Sequence, residues 1–214
     1  MTGFAGFPLA GLDFYEDLEA DNSKAFWTAN KEIYDRAVKQ PMTALVTELE
    51  PDFGPAKIFR PYRDVRFAKD KSPYKTAQGA VVRAAPGVGW YVQINAGGLF
   101  VGGGFYQGSP AQLAQLRATI HDDVRGPELV KILAKLTAAG FTIGGEQLKT
   151  KPKGYDADHP RIDLLRHKSL TCGKEFGAPA WLETPRAAKE VRAAWETMRP
   201  LIEWLAAVVG GAPS

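Results

Sequence analysis

The sequence predicts an α+β fold in a single domain, with an antiparallel β-meander packed by N-terminal and C-terminal helices. Three observations predict it. Apolar residues recur at helical spacing before residue 50 and after residue 110. Between them, residues 56–107 alternate polar and apolar with short glycine-rich connections, which favours hairpins over βαβ units. A chain of 214 residues, 45% hydrophobic and 24% charged, is long enough for a real core and has ordinary globular composition.

The helical part spans residues 8–50. From Pro8 to Ala20, Leu9, Leu12, Tyr15 and Leu18 predict one helix. Asp21-Asn22-Ser23 supplies cap chemistry for a second, which buries Phe26 or Trp27, then Ile33, Tyr34 and Val38. Pro41 is expected to end or kink it. Met42, Leu45, Val46 and Leu49 then carry an amphipathic segment to Pro51.

In the sheet-rich part, Lys57 to Ala68 reads as an extended segment broken by Pro61, an edge strand or bulge. Gly79–Ala84, Trp90–Ala96 and Leu99–Gln107 read as strands, with a turn at Gly97-Gly98. Helices follow over residues 110–139. Ser109 and Pro110 predict an N-cap and first turn, Leu113, Leu116 and Ile120 an apolar face, and Gly140 a C-terminal stop. A short extended piece near Phe141–Leu148 leads to a basic loop and short helix at residues 149–168. The C-terminal helix, residues 185–209, carries Val191, Trp195, Met198, Ile202, Leu205 and Val209, and Pro200 is expected to kink it. No linker divides the chain.

No apolar run reaches the roughly 18 residues that span a bilayer, and the N-terminus lacks a secretory pattern. The single cysteine, Cys172, predicts a reducing compartment and a cytoplasmic protein. A net charge of +3 conceals segregation along the chain. Residues 57–75 hold seven bases against two acids, and residues 149–168 six against three. The rest of the chain is therefore acidic, and such segregation predicts local fields that attract anions.

The segment Lys57-Ile58-Phe59-Arg60-Pro61-Tyr62-Arg63-Asp64-Val65-Arg66-Phe67, continuing through Lys69-Asp70-Lys71-Ser72-Pro73-Tyr74-Lys75, resembles the bacterial and fungal conserved hypothetical proteins of domain of unknown function 2461. Phe4 to Pro8, the Trp27–Asn30 region, Tyr91-Val92-Gln93-Ile94, Gly154-Tyr155-Asp156 with His159-Pro160-Arg161, and Leu164 to Lys168 extend the resemblance in order along nearly the whole chain. It implies membership and brings no catalytic residue, cofactor or substrate. At Trp27-Thr28-Ala29 the chain departs from it, lacking an aromatic at one further position.

If Tyr62–Phe67 is extended, Arg63, Val65 and Phe67 share one face while Tyr62, Asp64 and Arg66 share the other. Arg63 among apolar neighbours must then find a carboxylate, carbonyls or an anion. Two readings stand side by side: a structural Arg/Asp network, or an anion pocket that the Lys69–Lys75 loop closes. The ligand-binding candidates are Arg60, Arg63, Arg66, Lys71, Lys75, Gln93, Arg161 and Arg166. The leading reading is binding of an anionic or phosphorylated small molecule between residues 60–75 and 153–168. In an enzymatic version Asp64 or Asp70 is the base and Tyr74 or His159 the acid.

The alternatives are nucleic-acid binding, through bases interleaved with Phe59, Tyr62, Phe67, Tyr74 and Tyr155, and a non-catalytic interaction protein. No membrane partner, cofactor or metal is expected. His159, Asp163 and His167 share a helical face, but eight residues between the histidines put them about 12 Å apart, too far for one ion. Gly97-Gly98 and Gly102–Gly104 lack the Lys-Ser/Thr of a P-loop and read as close backbone approaches. Tyr91, Gln93 and Asn95 read as specificity groups or a solvated face, Cys172 as inert, the tryptophans as core, and His121 as a helix end.

Overall fold

The computed structural model describes residues 3–66 and 69–211. The α+β class holds: helices flank a six-stranded antiparallel sheet with strand order β1-β2-β3-β4-β6-β5. By internal contacts the chain falls into two compact units. The first comprises Met1–Val82, Tyr91–Val101 and Glu175–Ala193, and the second Arg83–Trp90, Gly102–Lys174 and Ala194–Ser214. The boundary passes through strands, so neither unit is a contiguous stretch of chain.

In the first unit, α1 (Ala10–Ala20) buries Leu12, Phe14, Tyr15 and Leu18. Leu9, expected inside, is 46% exposed, and Phe14 takes the place in the core. Ser23 caps α2 (Lys24–Tyr34) by accepting from the Phe26 amide at 3.1 Å, as its sequence predicts. Trp27 and Tyr34 are buried, but Ile33 is exposed. Pro41 does not end the helical run. A π-helical turn, Asp35–Lys39, precedes α3 (Gln40–Phe53), and the proline sits in the first turn of α3, where its missing N–H costs little. Met42, Leu45, Val46 and Leu49 line the buried side of α3, which continues past Pro51 to Phe53. Burying each such side chain contributes roughly 1.5–3 kcal/mol.

The edge strand is β1 (Ala56–Ile58), antiparallel to β2 (Ala77–Ala85) with Lys57 opposite Val81. Beyond it the chain is irregular, and a lone bridge pairs Tyr62 with Tyr74. Next come β3 (Val88–Asn95) and β4 (Gly98–Phe105). Gly98 adopts φ of 104°, and a Cβ there would lie 2.1 Å from the Gly177 carbonyl oxygen. The glycines thus permit close backbone approach.

In the second unit, α4 (Pro110–His121) begins with a full capping box. The Ser109 hydroxyl and the Gln112 side chain each satisfy the other's amide. Leu116 and Ile120 are fully buried and Leu113 is half-buried. Helix α5 (Arg125–Ala138) stops before Gly140, φ 83°. Strand β5 (Thr142–Gly144) is shorter than the extended piece expected at 141–148. It pairs antiparallel with β6 (Leu170–Gly177), a strand that sequence patterning misses. Helix α6 (Ile162–Leu165) follows Pro160, as expected. Helix α7 (Arg186–Val209) runs unbroken through Pro200. In the second unit its Trp195 carbonyl accepts from the Trp90 indole at 3.1 Å. No helix among the described residues is long and apolar enough to cross a membrane.

Candidate functional site

Residues 57–75 carry the most concentrated positive charge and lie in the first unit. They are fixed at both ends. The Phe59 amide donates to the Gly79 carbonyl at 2.9 Å, extending β1 by one bond. Gln78, 1% exposed, then holds the Phe59 carbonyl through Nε2 at 2.7 Å and accepts from the Tyr34 hydroxyl at 2.6 Å. At the other end Asn22 grips Tyr74 as a strand would. It accepts from the Tyr74 amide and donates to its carbonyl, both at 3.1 Å. Trp27 stacks on the Tyr74 ring at 4.2 Å with 7° between planes, and Tyr62, 51% exposed, leans on both rings. Burial raises the Tyr74 phenol above its ordinary pKa.

Between those anchors, exposure alternates as predicted although no strand forms. Arg63 and Val65 are half-buried, and Tyr62, Asp64 and Arg66 are exposed. Phe67, assigned to the Arg63 face, lies outside the described residues. Arg63 pairs with Asp70, and Arg66 binds Asp64 with two bonds, 2.9 and 2.7 Å. Ser72, through hydroxyl and amide, and the Arg63 guanidinium hold the Asp70 carboxyl far below the usual carboxylate range. Arg66 does the same, less strongly, for Asp64. Carboxylates stabilised in this way are weak proton acceptors, so the geometry lends no support to Asp64 or Asp70 as a general base. Tyr74, raised in pKa and packed under Trp27, is equally ill-suited as the acid.

The remaining cations have different surroundings. Lys71 Nζ donates to the Val65 carbonyl at 3.0 Å. Lys75 Nζ donates to the Arg60 carbonyl at 3.0 Å and lies 5.3 Å from the Phe59 ring centroid. Burial, then the Arg60 charge, lowers the Lys75 pKa. Neither Arg60 nor Lys75 forms an ion pair among the described residues. Gln93 is half-buried and accepts from the Tyr91 hydroxyl at 2.7 Å. Burial pushes that phenol up to about 12.

The second basic segment, residues 149–168, lies in the other unit, and its arginines face main-chain carbonyls. Arg161, its side chain 11% exposed, donates to Ile120 at 2.7 Å, His121 at 2.8 Å and Asp122 at 3.2 Å, and meets Asp123 at 3.5 Å. It satisfies carbonyls that α4 leaves open at its end. Gly126 makes room for it, since a Cβ there would lie 2.5 Å from Arg161 Nε. Arg166 donates to Leu148 at 2.9 Å and Lys149 at 3.0 Å.

His159, Asp163 and His167 do not share one helix, because α6 covers only Ile162–Leu165. His167 is 4% exposed and lies between Gln147 Nε2 at 2.8 Å and the Ser169 carbonyl at 2.7 Å. No group of three or more metal-ligating side chains occurs among the described residues. Cys172 is buried, which pushes its thiol up to about 12 and leaves it inert. Sequence reasoning missed Gln78, Asn22 and the contact of His121 with His159. None carries a local signal, since each meets a partner at least 38 residues away.

The model of a conserved hypothetical protein family, DUF2461, matches residues 10–204. The chain belongs to this family. No curated protein matches the sequence. Membership in DUF2461 accounts for the resemblance carried by the Arg-rich segment and the His159-Pro160-Arg161 stretch, and it assigns no reaction.

Proposed function

We propose that this DUF2461 protein binds an anionic small molecule, such as a phosphorylated metabolite, at the 57–75 segment of its first unit. Arg60 and Lys75 make the primary contacts, and Lys57, Lys69 and Lys71 supply the surrounding field. One observation carries the reading: the Arg60 charge opposes the charge on Lys75, and neither residue forms an ion pair among the described residues. Bringing an anion to them relieves that repulsion and adds charge-assisted hydrogen bonds. Arg63 and Arg66 shape the loop through Asp70 and Asp64.

The test is thermal unfolding against phosphorylated metabolites, nucleotides, carboxylates and short oligonucleotides. A ligand that binds the folded state alone at a hundredfold excess over Kd adds about 2.7 kcal/mol. That corresponds to roughly 5–10 °C for a chain of this size. Arg60→Ala with Lys75→Ala abolishes the shift while leaving the unliganded Tm close to wild type. Silence across all the anions refutes the reading.

The exposed ring of Tyr62 favours a second reading, in which bases of a single-stranded nucleic acid stack there. An oligonucleotide would then bind with a log–log salt slope near −0.7 per phosphate neutralised. A compact anion held by two cations gives a much flatter dependence.

A further inference from the structure

In the second unit, α4 ends at His121, and His121 Nδ1 lies 2.9 Å from His159 Nε2. The Tyr155 ring meets His121 edge-on, with centroids 5.5 Å apart. The hydrogen-bond network fixes both tautomers. The Arg161 backbone amide donates to His159 Nδ1 at 3.0 Å, and an amide N–H can only donate. Neutral His159 therefore carries its proton on Nε2 and gives it to His121 Nδ1, so the His121 proton sits on Nε2. A metal ion between the two nitrogens would need a lone pair on His159 Nε2. That would move the proton to Nδ1, against the Arg161 amide, so the contact is an N–H···N bond and not half of a metal site.

We propose that the His121–His159 bond is an acid-opened latch holding the 153–160 turn of the basic loop to the end of α4. A proton added to His121 Nδ1 faces the His159 N–H. One added to His159 Nδ1 faces the Arg161 amide and costs that bond, while the His159 Nε2–H still donates to His121. The latch itself is lost when His121 takes up a proton. The groups around the pair pull in both directions. Asp123 and Asp156 favour a proton on His159, and Asp122 and the last carbonyls of α4 add negative potential beside His121. Burial, then Arg161 and His121, oppose it and hold His159 below the ordinary imidazole value. The latched form thus prevails at neutral pH and is lost on acidification. Arg161 keeps its grip on the α4 carbonyls in both states, so the movement is confined to the turn before Pro160. Opening frees Tyr155, whose carbonyl Lys151 holds at 2.7 Å, and changes the presentation of Lys151 and Lys153.

The experiment is nitrogen-detected imidazole NMR on the full chain, which has only three histidines, together with amide exchange corrected for intrinsic rates. At neutral pH both rings carry the proton on Nε2. On acidification the Arg161 amide loses protection by roughly tenfold, the scale of one hydrogen bond, in step with the two rings. His121→Gln keeps an acceptor for the His159 N–H that acid does not protonate, so the turn stays latched where the wild type opens. His121→Phe is open throughout while Tm stays near wild type. Finding His159 protonated on Nδ1 at neutral pH overturns the proposal. So does an Arg161 amide whose protection is unchanged while both rings titrate.

Discussion

Gln78 is the residue on which the geometry of the cationic segment depends. Its side chain is 1% exposed and makes three bonds: from the Tyr34 hydroxyl at 2.6 Å, to the Phe59 carbonyl at 2.7 Å and to the Gly79 carbonyl at 3.0 Å. The Gly79 carbonyl keeps the Phe59 amide as a donor if Gln78 is lost. Gln78→Met, similar in shape, therefore orphans two groups, the Tyr34 hydroxyl and the Phe59 carbonyl. Each unsatisfied buried polar group costs about 1–3 kcal/mol, giving a loss of about 2–6 kcal/mol. Tyr34→Phe removes only one donor and is expected to cost about 1–2 kcal/mol. In the double variant the orphaned hydroxyl no longer exists, so the losses fall short of additivity by about 1 kcal/mol. Urea unfolding of the four proteins measures this cycle. Because Phe59 precedes Arg60, the Gln78 variant also weakens the anion-induced rise in Tm. Additivity within about 0.5 kcal/mol would refute the view that this bond ties α2 to the edge of the sheet.

Two further substitutions probe the second unit. Gly126→Ala places a methyl group 2.2 Å from the Ile120 carbonyl oxygen and 2.5 Å from Arg161 Nε, so Arg161 is displaced from the end of α4. A loss of about 2–3 kcal/mol by denaturant unfolding is expected, and a neutral result would show that the clamp is dispensable. His167 is held neutral: its Nδ1–H donates to Ser169 and its Nε2 accepts from Gln147. Burial lowers its pKa despite the Ser169 carbonyl and Asp163, which raise it. A depressed imidazole pKa means the unfolded chain takes up protons first, so the stability it contributes is present above about pH 6.5 and lost as pH falls through the folded value. His167→Gln should lower Tm at neutral pH yet flatten its decline in acid. Equal slopes in the two proteins would exclude His167 as a source of acid sensitivity.

What could be read from the sequence was what local chemistry determines. Ser109 and Pro110 fix the start of α4 through bonds made within three residues, and Ser23 does the same for α2. Strand β6 was not legible. Gly173, Lys174, Glu175 and Gly177 dilute its alternation, and pairing with β5, some 28 residues earlier, defines it. Pro41 misled for a related reason. A π-helical turn absorbs the missing amide hydrogen bond, so the chain stays helical where propensity predicts a break. At the candidate site, the alternation of residues 62–66 was correct, but which carboxylate each arginine would reach depends on how the loop closes. Asp70 serves Arg63 from seven residues away. The His121–His159 contact spans 38 residues, and no spacing rule connects them.

Counting bases overstates how much of this chain is available to a ligand. A guanidinium has five N–H donors in a fixed fork, and what those donors already meet decides whether the charge can act outward. Arg161 directs its donors to three carbonyls and Arg166 to two, while Arg63 and Arg66 each face a carboxylate. Recruiting Arg161 or Arg166 would orphan main-chain carbonyls they satisfy, whereas Arg63 and Arg66 would release exposed carboxylates that water can solvate. Lys75 differs in that its neighbours are the Phe59 ring, the Arg60 carbonyl and the Arg60 charge, and neither it nor Arg60 forms an ion pair among the described residues. The cations of the 57–75 segment thus divide into Arg63 and Arg66, which are ion-paired and shape the loop, and Arg60 and Lys75, which form no ion pair among the described residues. Replacing Arg63 should therefore change the loop's shape and stability, whereas replacing Arg60 should change anion affinity with little effect on either.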